Sequence, residues 1–186
     1  MTQPDLTFVL GGARSGKSAH AEQLAAATAR PVTYIATAGE TDDAEFAARI
    51  AHHRARRPAH WRVVQAGIDL AAVIAEADDG ERCILVDCLT LWLVNLICPA
   101  RGEAFALPPD DCRARFDALA SALTHARGPV IVVSNEIGMG VVPLGAMTRR
   151  YVDELGRLNQ RVAAIARNVT LMVAGLPMAV KGDSTR

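Results

Sequence analysis

An apolar run, Leu6-Thr-Phe-Val-Leu10, gives way at once to Gly11-Gly-Ala-Arg-Ser-Gly-Lys-Ser18, and the chain then turns Ala-rich from Ala19 to Ala29. A short strand-like run, paired glycines and a stretch of strong helix formers spell strand, tight turn and helix. The eight residues fit G-x-x-x-x-G-K-[ST], and the flanking segments supply the context this pattern requires. Its glycines let backbone N–H groups turn inward around phosphate oxygens, while the following helix directs its positive end at them. Gly11, Gly12, Ala13, Arg14, Ser15, Gly16, Lys17 and Ser18 are therefore expected to hold a nucleotide. Lys17 would reach the β/γ-phosphates and Ser18 would ligate Mg²⁺.

The rest of the chain repeats the alternation. Leu6–Leu10, Val32–Ala36, Arg62–Val64, Cys83–Val86, Val130–Ser134 and Val169–Val173 are short and mostly apolar, as strands covered on both faces should be. Ala19–Ala29, Asp43–Arg56, Ile68–Ala77, Leu89–Ile97, Asp111–Ala126 and Thr148–Arg167 suit helices, and Pro99 to Pro109 reads as a long loop. Such a pattern predicts an α/β domain with a mainly parallel sheet and helices on both faces. No repeat or linker divides the 186 residues, so residues 1–186 are read as one domain. Ligands in such folds sit at the carboxyl ends of the strands, which directs attention to the loops there.

Ile84-Leu-Val-Asp87 is an apolar strand ending in a carboxylate. Beside a phosphate loop, an acid in this place holds Mg²⁺ directly or through water; alternatively, Asp87 caps the helix beginning at Leu89. There is no Asn-Lys-x-Asp guanine-reading sequence, which disfavours a Ras-type switch GTPase. Between Asp43 and Arg57 lie two adjacent histidines and a run of arginines. On a helix, Phe46, Ile50, His53 and Arg57 share one face, whereas His52 falls with Glu45, Arg49 and Arg56 on the polar side. His53 is then either a semi-buried core histidine or, with Arg54, Arg56 and Arg57 as donors to phosphate, a nucleophile toward phosphorus. The arginines themselves read equally as a solvated basic face.

Charge narrows the partners. Twenty Lys+Arg balance twenty Asp+Glu, and all but Lys17 and Lys181 of the basic residues are Arg. No global field draws the chain to nucleic acid or an anionic membrane, so neither is expected as a partner. The longest apolar stretch, Cys83 to Cys98, is interrupted by Asp87 and Asn95 and is too short to span a bilayer. The N-terminus lacks a basic-then-apolar leader pattern. The four cysteines form no C-x-x-C pair, and three lie in apolar segments, which points to reduced, buried thiols and a cytoplasmic address.

Five blocks in order resemble one family. These are Gly11–Ser18; Tyr34-Ile-Ala-Thr37; Arg49-Ile-x-x-His53-Arg-x-x-Arg57-Pro58 with Trp61-Arg62; Asn135-Glu-Ile-Gly-Met-Gly-Val-Val-Pro143; and Gly156-Arg-Leu-Asn-Gln-Arg161. Together they are similar to the bifunctional adenosylcobinamide kinase/adenosylcobinamide-phosphate guanylyltransferases of cobalamin biosynthesis, from about Leu6 to Lys181. The resemblance implies a P-loop NTPase with a RecA-like sheet, and a homo-oligomer, typically a trimer. It implies two reactions: adenosylcobinamide is phosphorylated by ATP or GTP, then GTP gives GMP to a histidine, and adenosylcobinamide phosphate takes it to yield adenosylcobinamide-GDP. The histidine maps onto His53, in agreement with the helical-face reading.

The resemblance also places Ala36-Thr37-Ala38 and Arg54–Arg57 against nucleotide. Relatives often carry Glu where this chain has Gln65, which cannot carry charge; if that position reads guanine, the preference for it would be weakened here. Asn135 and Glu136 become candidates for lining the nucleotide or corrinoid site. Met139, Val141, Val142 and Leu144 are candidate contacts for the corrin ring or, equally, ordinary core residues.

Overall fold

The computed structural model describes residues 4–38, 44, 45, 48, 51, 57–98 and 108–182. Seven strands, β1 Leu6–Gly11, β2 Val32–Ala36, β3 Arg62–Gln65, β4 Cys83–Asp87, β5 Val130–Asn135, β6 Asn168–Val173 and β7 Leu176–Lys181, form one sheet in the order β3-β2-β4-β5-β1-β6-β7. All neighbours are parallel except β6 and β7. Five helices accompany them among the described residues: α1 Lys17–Ala27, α2 Leu70–Ala77, α3 Leu89–Ile97, α4 Pro109–His125 and α5 Ala146–Ile165. The mainly parallel α/β reading holds.

Alternation along the central strands divides the core between the two faces of the sheet. Leu6, Phe8, Ile84, Val86, Val130 and Val132 point to the side where α2, α3, α4 and α5 supply Leu70, Ile74, Trp92, Leu93, Phe116, Leu119, Leu155 and Leu158. Val9, Tyr34, Leu85, Ile131 and Val133 point the other way, against Ala21 and Ala25 of α1. Because α1 presents alanines, it lies close to the sheet and brings its N-terminus up to the strand ends. On the thicker side Trp92 packs its ring against Phe116, with centroids 6.0 Å apart, and satisfies its indole N–H on the Ile68 carbonyl at 3.0 Å.

Helix ends follow local chemistry. Pro109 sits in the first turn of α4 with Asp110 and Asp111, and His125 lies in its last turn, an arrangement complementary to the helix dipole. Pro109 therefore begins a helix instead of ending a loop. Residues 99–107 of that loop lie outside the described residues.

One strand is not anticipated by the alternation. β7 carries a proline and follows β6 after only Ala174-Gly175, whose φ values of 50° and 83° make a two-residue hairpin turn. Pro is tolerated there because β7 is an edge strand. Residues 176–180 are exposed, including Leu176, Met178 and Val180.

All four cysteines are free thiols. Cys83, Cys88 and Cys112 are buried, whereas Cys98, at the end of an apolar run, is exposed at the C-terminus of α3. Burial pushes the Cys83 and Cys88 thiols up to about 11. Iodoacetamide at about pH 8 should therefore modify Cys98 first, with Cys83, Cys88 and Cys112 protected until the protein unfolds, because the thiolate is the reactive form. Peptide mass spectrometry reads the order, and prompt modification of Cys88 in folded protein would contradict this packing.

Candidate active site

The turn between β1 and α1 is held from three sides. Glu136, following β5, donates its N–H to the Gly11 carbonyl at 3.1 Å, and Gly175 of the β6–β7 turn donates to the Ser15 carbonyl at 3.0 Å. Within the turn, the Ser15 N–H and the Lys17 Nζ both reach the Gly12 carbonyl, at 3.3 and 3.1 Å. Arg14 and Gly16 have positive φ, 58° and 92°. Gly16 also packs tightly: a Cβ there would lie 3.3 Å from the Gly175 Cα. The first turn of α1 has neither a side-chain cap nor an acidic residue, which leaves its N–H groups for an anion. Burial lowers the pKa of Lys17, with Cys88 and Asp87 pulling the opposite way.

Asp87 ends β4, two strands away from β1. Its Oδ2 accepts a 2.8 Å hydrogen bond from the Tyr34 hydroxyl. The capping alternative is not what the structure shows, since Cys88 is the N-cap of α3 and no side chain caps that helix. Next to it, the fully buried Thr37 hydroxyl donates to the Cys88 carbonyl at 2.7 Å and accepts from the Cys88 N–H at 2.9 Å. Asn95 then donates to the Thr37 carbonyl at 2.9 Å. Thr37 thus braces the strand ends with its side chain, and Ala36 and Ala38, both half-buried, flank it.

The donor set suits a small hard cation. Among the described residues no three His, Cys, Asp or Glu side chains cluster to hold a metal by themselves. Mg²⁺ does not need such a cage, since it typically takes one or two protein oxygens and fills the rest of its shell with water and phosphate. The Asp87 carboxylate and the Ser18 hydroxyl on the first turn of α1 are the residues that would supply those oxygens. Asp87 is close enough to Lys17 to act on it electrostatically.

The Asn135–Pro143 loop begins at the same edge. Asn135 is fixed through its backbone: its N–H donates to the Thr90 hydroxyl at 2.8 Å and its carbonyl accepts from Asn159 at 2.9 Å. The Glu136 carboxylate turns the loop by accepting from the Gly138 N–H at 2.8 Å. Met139, Val141, Val142 and Leu144 are 78%, 96%, 72% and 97% exposed, which rules out core packing for them. On the far side of the sheet, Gln65 donates to the Ala38 carbonyl, joining the ends of β3 and β2. The Arg57 guanidinium lies 3.9 Å above the Tyr34 ring. Arg57 also lines an open cleft of about 260 Å³ with Pro58, Ala59, Trp61 and Val63. His52, His53, Arg54 and Arg56 lie outside the described residues.

Four contributors have contacts that the sequence does not foretell, although Tyr34 and Asn159 lie within the blocks quoted above. Tyr34 and Gly175 reach the site across the sheet, and no local pattern predicts where such side chains or turns land. Asn95 and Asn159 leave a faint trace, as polar residues within helical segments that otherwise bury apolar neighbours.

The sequence of residues 7–180 matches the family model for cobinamide kinase / cobinamide phosphate guanyltransferase. The bifunctional adenosylcobalamin biosynthesis protein CobP of Pseudomonas aeruginosa is 50% identical over 176 residues, covering 95% of this chain and 97% of that one. CobU of Salmonella typhimurium, also described as a bifunctional adenosylcobalamin biosynthesis protein, is 40% identical with 95% and 99% covered. Among solved structures, a type III secretion ATPase from pathogenic bacteria aligns with a TM-score of 0.53 at 12% identity, over 94% of this chain and 56% of its own. The flagellar accessory protein FlaH of Methanocaldococcus jannaschii gives 0.51 at 14% identity, over 97% and 80%. The fold is that of a P-loop NTPase.

The packing of the phosphate loop makes its glycines unequal. A Cβ at Gly11 would fall 2.4 Å from Ser15 Oγ and 2.9 Å from the Met172 carbonyl oxygen, whereas one at Gly12 meets nothing within 4 Å. Gly11→Ala should cost about 1–3 kcal/mol by overpacking, a fall in melting temperature of roughly 2–12 °C. Gly12→Ala should melt as wild type does. Scanning fluorimetry distinguishes the two, and equal melting temperatures would contradict the geometry.

Proposed function

The chain belongs to the family of cobinamide kinases and cobinamide phosphate guanyltransferases, and we propose that it acts twice on one corrinoid. It first phosphorylates adenosylcobinamide with ATP or GTP. It then transfers GMP from GTP, by way of a GMP-histidine at His53, to adenosylcobinamide phosphate, giving adenosylcobinamide-GDP. The observation that carries the reading is the meeting of Lys17, the uncapped α1 N-terminus and Asp87 at one edge of the sheet, within a sequence that matches the family over nearly its whole length.

In the first reaction, the corrinoid hydroxyl oxygen bonds to the γ-phosphorus as the bond to the β,γ-bridging oxygen breaks. Charge gathers on the equatorial and leaving oxygens, where Lys17 and the loop N–H groups donate. Mg²⁺ held by Ser18 and Asp87 would neutralise charge on the β- and γ-oxygens. The alcohol proton passes to solvent late in the step, since a loose transition state places little demand on a dedicated base. In the second reaction, a neutral His53 nitrogen attacks the α-phosphorus and pyrophosphate leaves. A phosphate oxygen of adenosylcobinamide phosphate then attacks the same phosphorus and expels the imidazole. Arg54, Arg56 and Arg57 are the donors assigned to phosphate in this step, and Gln65 is assigned to the guanine base, where in place of Glu it would weaken the preference for guanine.

The exposed Met139, Val141, Val142 and Leu144 supply an apolar face of the kind a corrin ring needs, beginning one loop away from the phosphate site. A homo-oligomer, a trimer by family resemblance, and a cytoplasmic address complete the proposal. Its support is the bare β7 edge for the first and, for the second, four cysteines that are all free thiols.

Lys17→Ala should lower phosphoryl transfer to adenosylcobinamide by roughly 10²–10³-fold or more, since it removes a donor made for developing charge. His53→Ala should keep that activity within a few-fold and lose the acid-labile, alkali-stable label that α-³²P-GTP leaves on wild-type protein, whereas His52→Ala should still label. Label that survives in the His53 variant and vanishes in the His52 variant would overturn the assignment.

A further inference from the structure

Tyr34 is buried in the sheet, 2% exposed, with one polar atom to satisfy. β2 and β4 run parallel with Ala36 opposite Asp87 and Tyr34 opposite Leu85. Tyr34 therefore stands on the same face of the sheet as Asp87, one diagonal step back, a separation that a long aromatic side chain can bridge. Its hydroxyl ends 2.8 Å from Asp87 Oδ2. A phenylalanine would fill the same space without a buried hydroxyl to satisfy, so packing alone does not account for the oxygen. The opposite direction is also constrained: the Arg57 guanidinium covers the ring face at 3.9 Å, within the range of a cation–π contact. A carboxylate at a strand end can rotate about its last bond, and a charge-assisted hydrogen bond to one oxygen fixes the direction of the other.

From these contacts we propose that Tyr34 is a positioning residue for the metal step: its hydroxyl holds one oxygen of Asp87 and leaves the other for the cation that Asp87 would hold, and Arg57 pins the ring that carries the hydroxyl. The inference rests on the reading of Asp87 as the metal-holding acid. The arrangement follows the general design in which groups behind a metal ligand set its orientation, and their loss typically costs 10–100-fold in metal affinity.

Mn²⁺ replaces Mg²⁺ in the test, and its binding to full-length protein with β,γ-imido-GTP is followed by electron paramagnetic resonance of the free ion. Tyr34→Phe keeps the ring and its contact with Arg57 and removes only the hydroxyl. It should weaken Mn²⁺ binding about 10-fold or more and raise the Mg²⁺ concentration needed for half-maximal phosphoryl transfer by a similar factor. At saturating Mg²⁺, kcat should return to within about twofold of wild type, since the carboxylate is displaced and not lost. Asp87→Asn should weaken binding by at least as much, and adding Tyr34→Phe to it should change little, because both substitutions act through one carboxylate. Wild-type Mn²⁺ affinity in Tyr34→Phe, with affinity lost in Asp87→Asn, would overturn the positioning role while leaving the metal reading intact. Full additivity in the double variant would do the same. Unchanged affinity in Asp87→Asn would overturn the metal reading and this inference with it. Circular dichroism and melting temperature, expected to match wild type within a few degrees in Tyr34→Phe, exclude unfolding as the cause of any loss.

Discussion

The catalytic edge depends on which way the peptide groups after β1 point. A turn binds an anion when its carbonyls point away from it, because a carbonyl oxygen facing phosphate would repel it. Here the Gly11 carbonyl is taken by Glu136, the Ser15 carbonyl by Gly175 and the Gly12 carbonyl by Ser15 and Lys17. With these three carbonyls turned to other partners, the N–H groups at the start of α1 are left as donors. Two of these partners come from other strand ends, so the cradle is a property of the assembled sheet. The glycines of the motif permit the turn, and the neighbours β5 and β6–β7 determine its orientation.

A second constraint is the transmission of position across the sheet. β5 lies between β1 and β4, so Lys17 and Asp87 approach each other over an intervening strand. The strand ends between and around them are held by side-chain hydrogen bonds to backbone: Thr37 on Cys88, Asn95 on Thr37, Thr90 and Asn159 on Asn135, and Tyr151 on Thr90 at 3.1 Å. These bonds satisfy backbone groups that the ladders leave open at the strand ends, where ligands bind in folds of this kind. Burial on both faces makes the support stiff, since Leu85, Val86, Val132 and Val133 are essentially inaccessible to solvent. Displacement of any strand end would move a phosphate donor relative to the acid.

Much of this was legible in the sequence, and the limits have physical causes. The central strands β1, β2, β4 and β5 declare themselves because both faces are buried, which gives short continuous apolar runs, whereas β3, expected to be covered on both faces, is an edge strand whose residues are largely exposed. The phosphate loop declares itself because few residue types survive its backbone geometry. β7 stays hidden, since an exposed edge strand has no burial signature and its proline argues against a strand. Asp87 is legible as a carboxylate at a strand end, yet its partner Tyr34 lies 53 residues away in sequence and reaches it only through the register of two parallel strands. Exposure of Met139, Val141, Val142 and Leu144 was likewise invisible, because a run of apolar residues looks the same whether it faces a core or solvent. The blocks shared with the family identify the chemistry, while the structure supplies the contacts that orient it.

The central claim is that one chain carries GMP covalently and delivers it to the corrinoid. A pulse–chase tests it directly: wild-type protein is charged with α-³²P-GTP, freed of nucleotide, and mixed with adenosylcobinamide phosphate. The account predicts that label leaves the protein in a single turnover and appears stoichiometrically in adenosylcobinamide-GDP. Label that stays on the protein, or a corrinoid product formed only when fresh GTP is present, would contradict it.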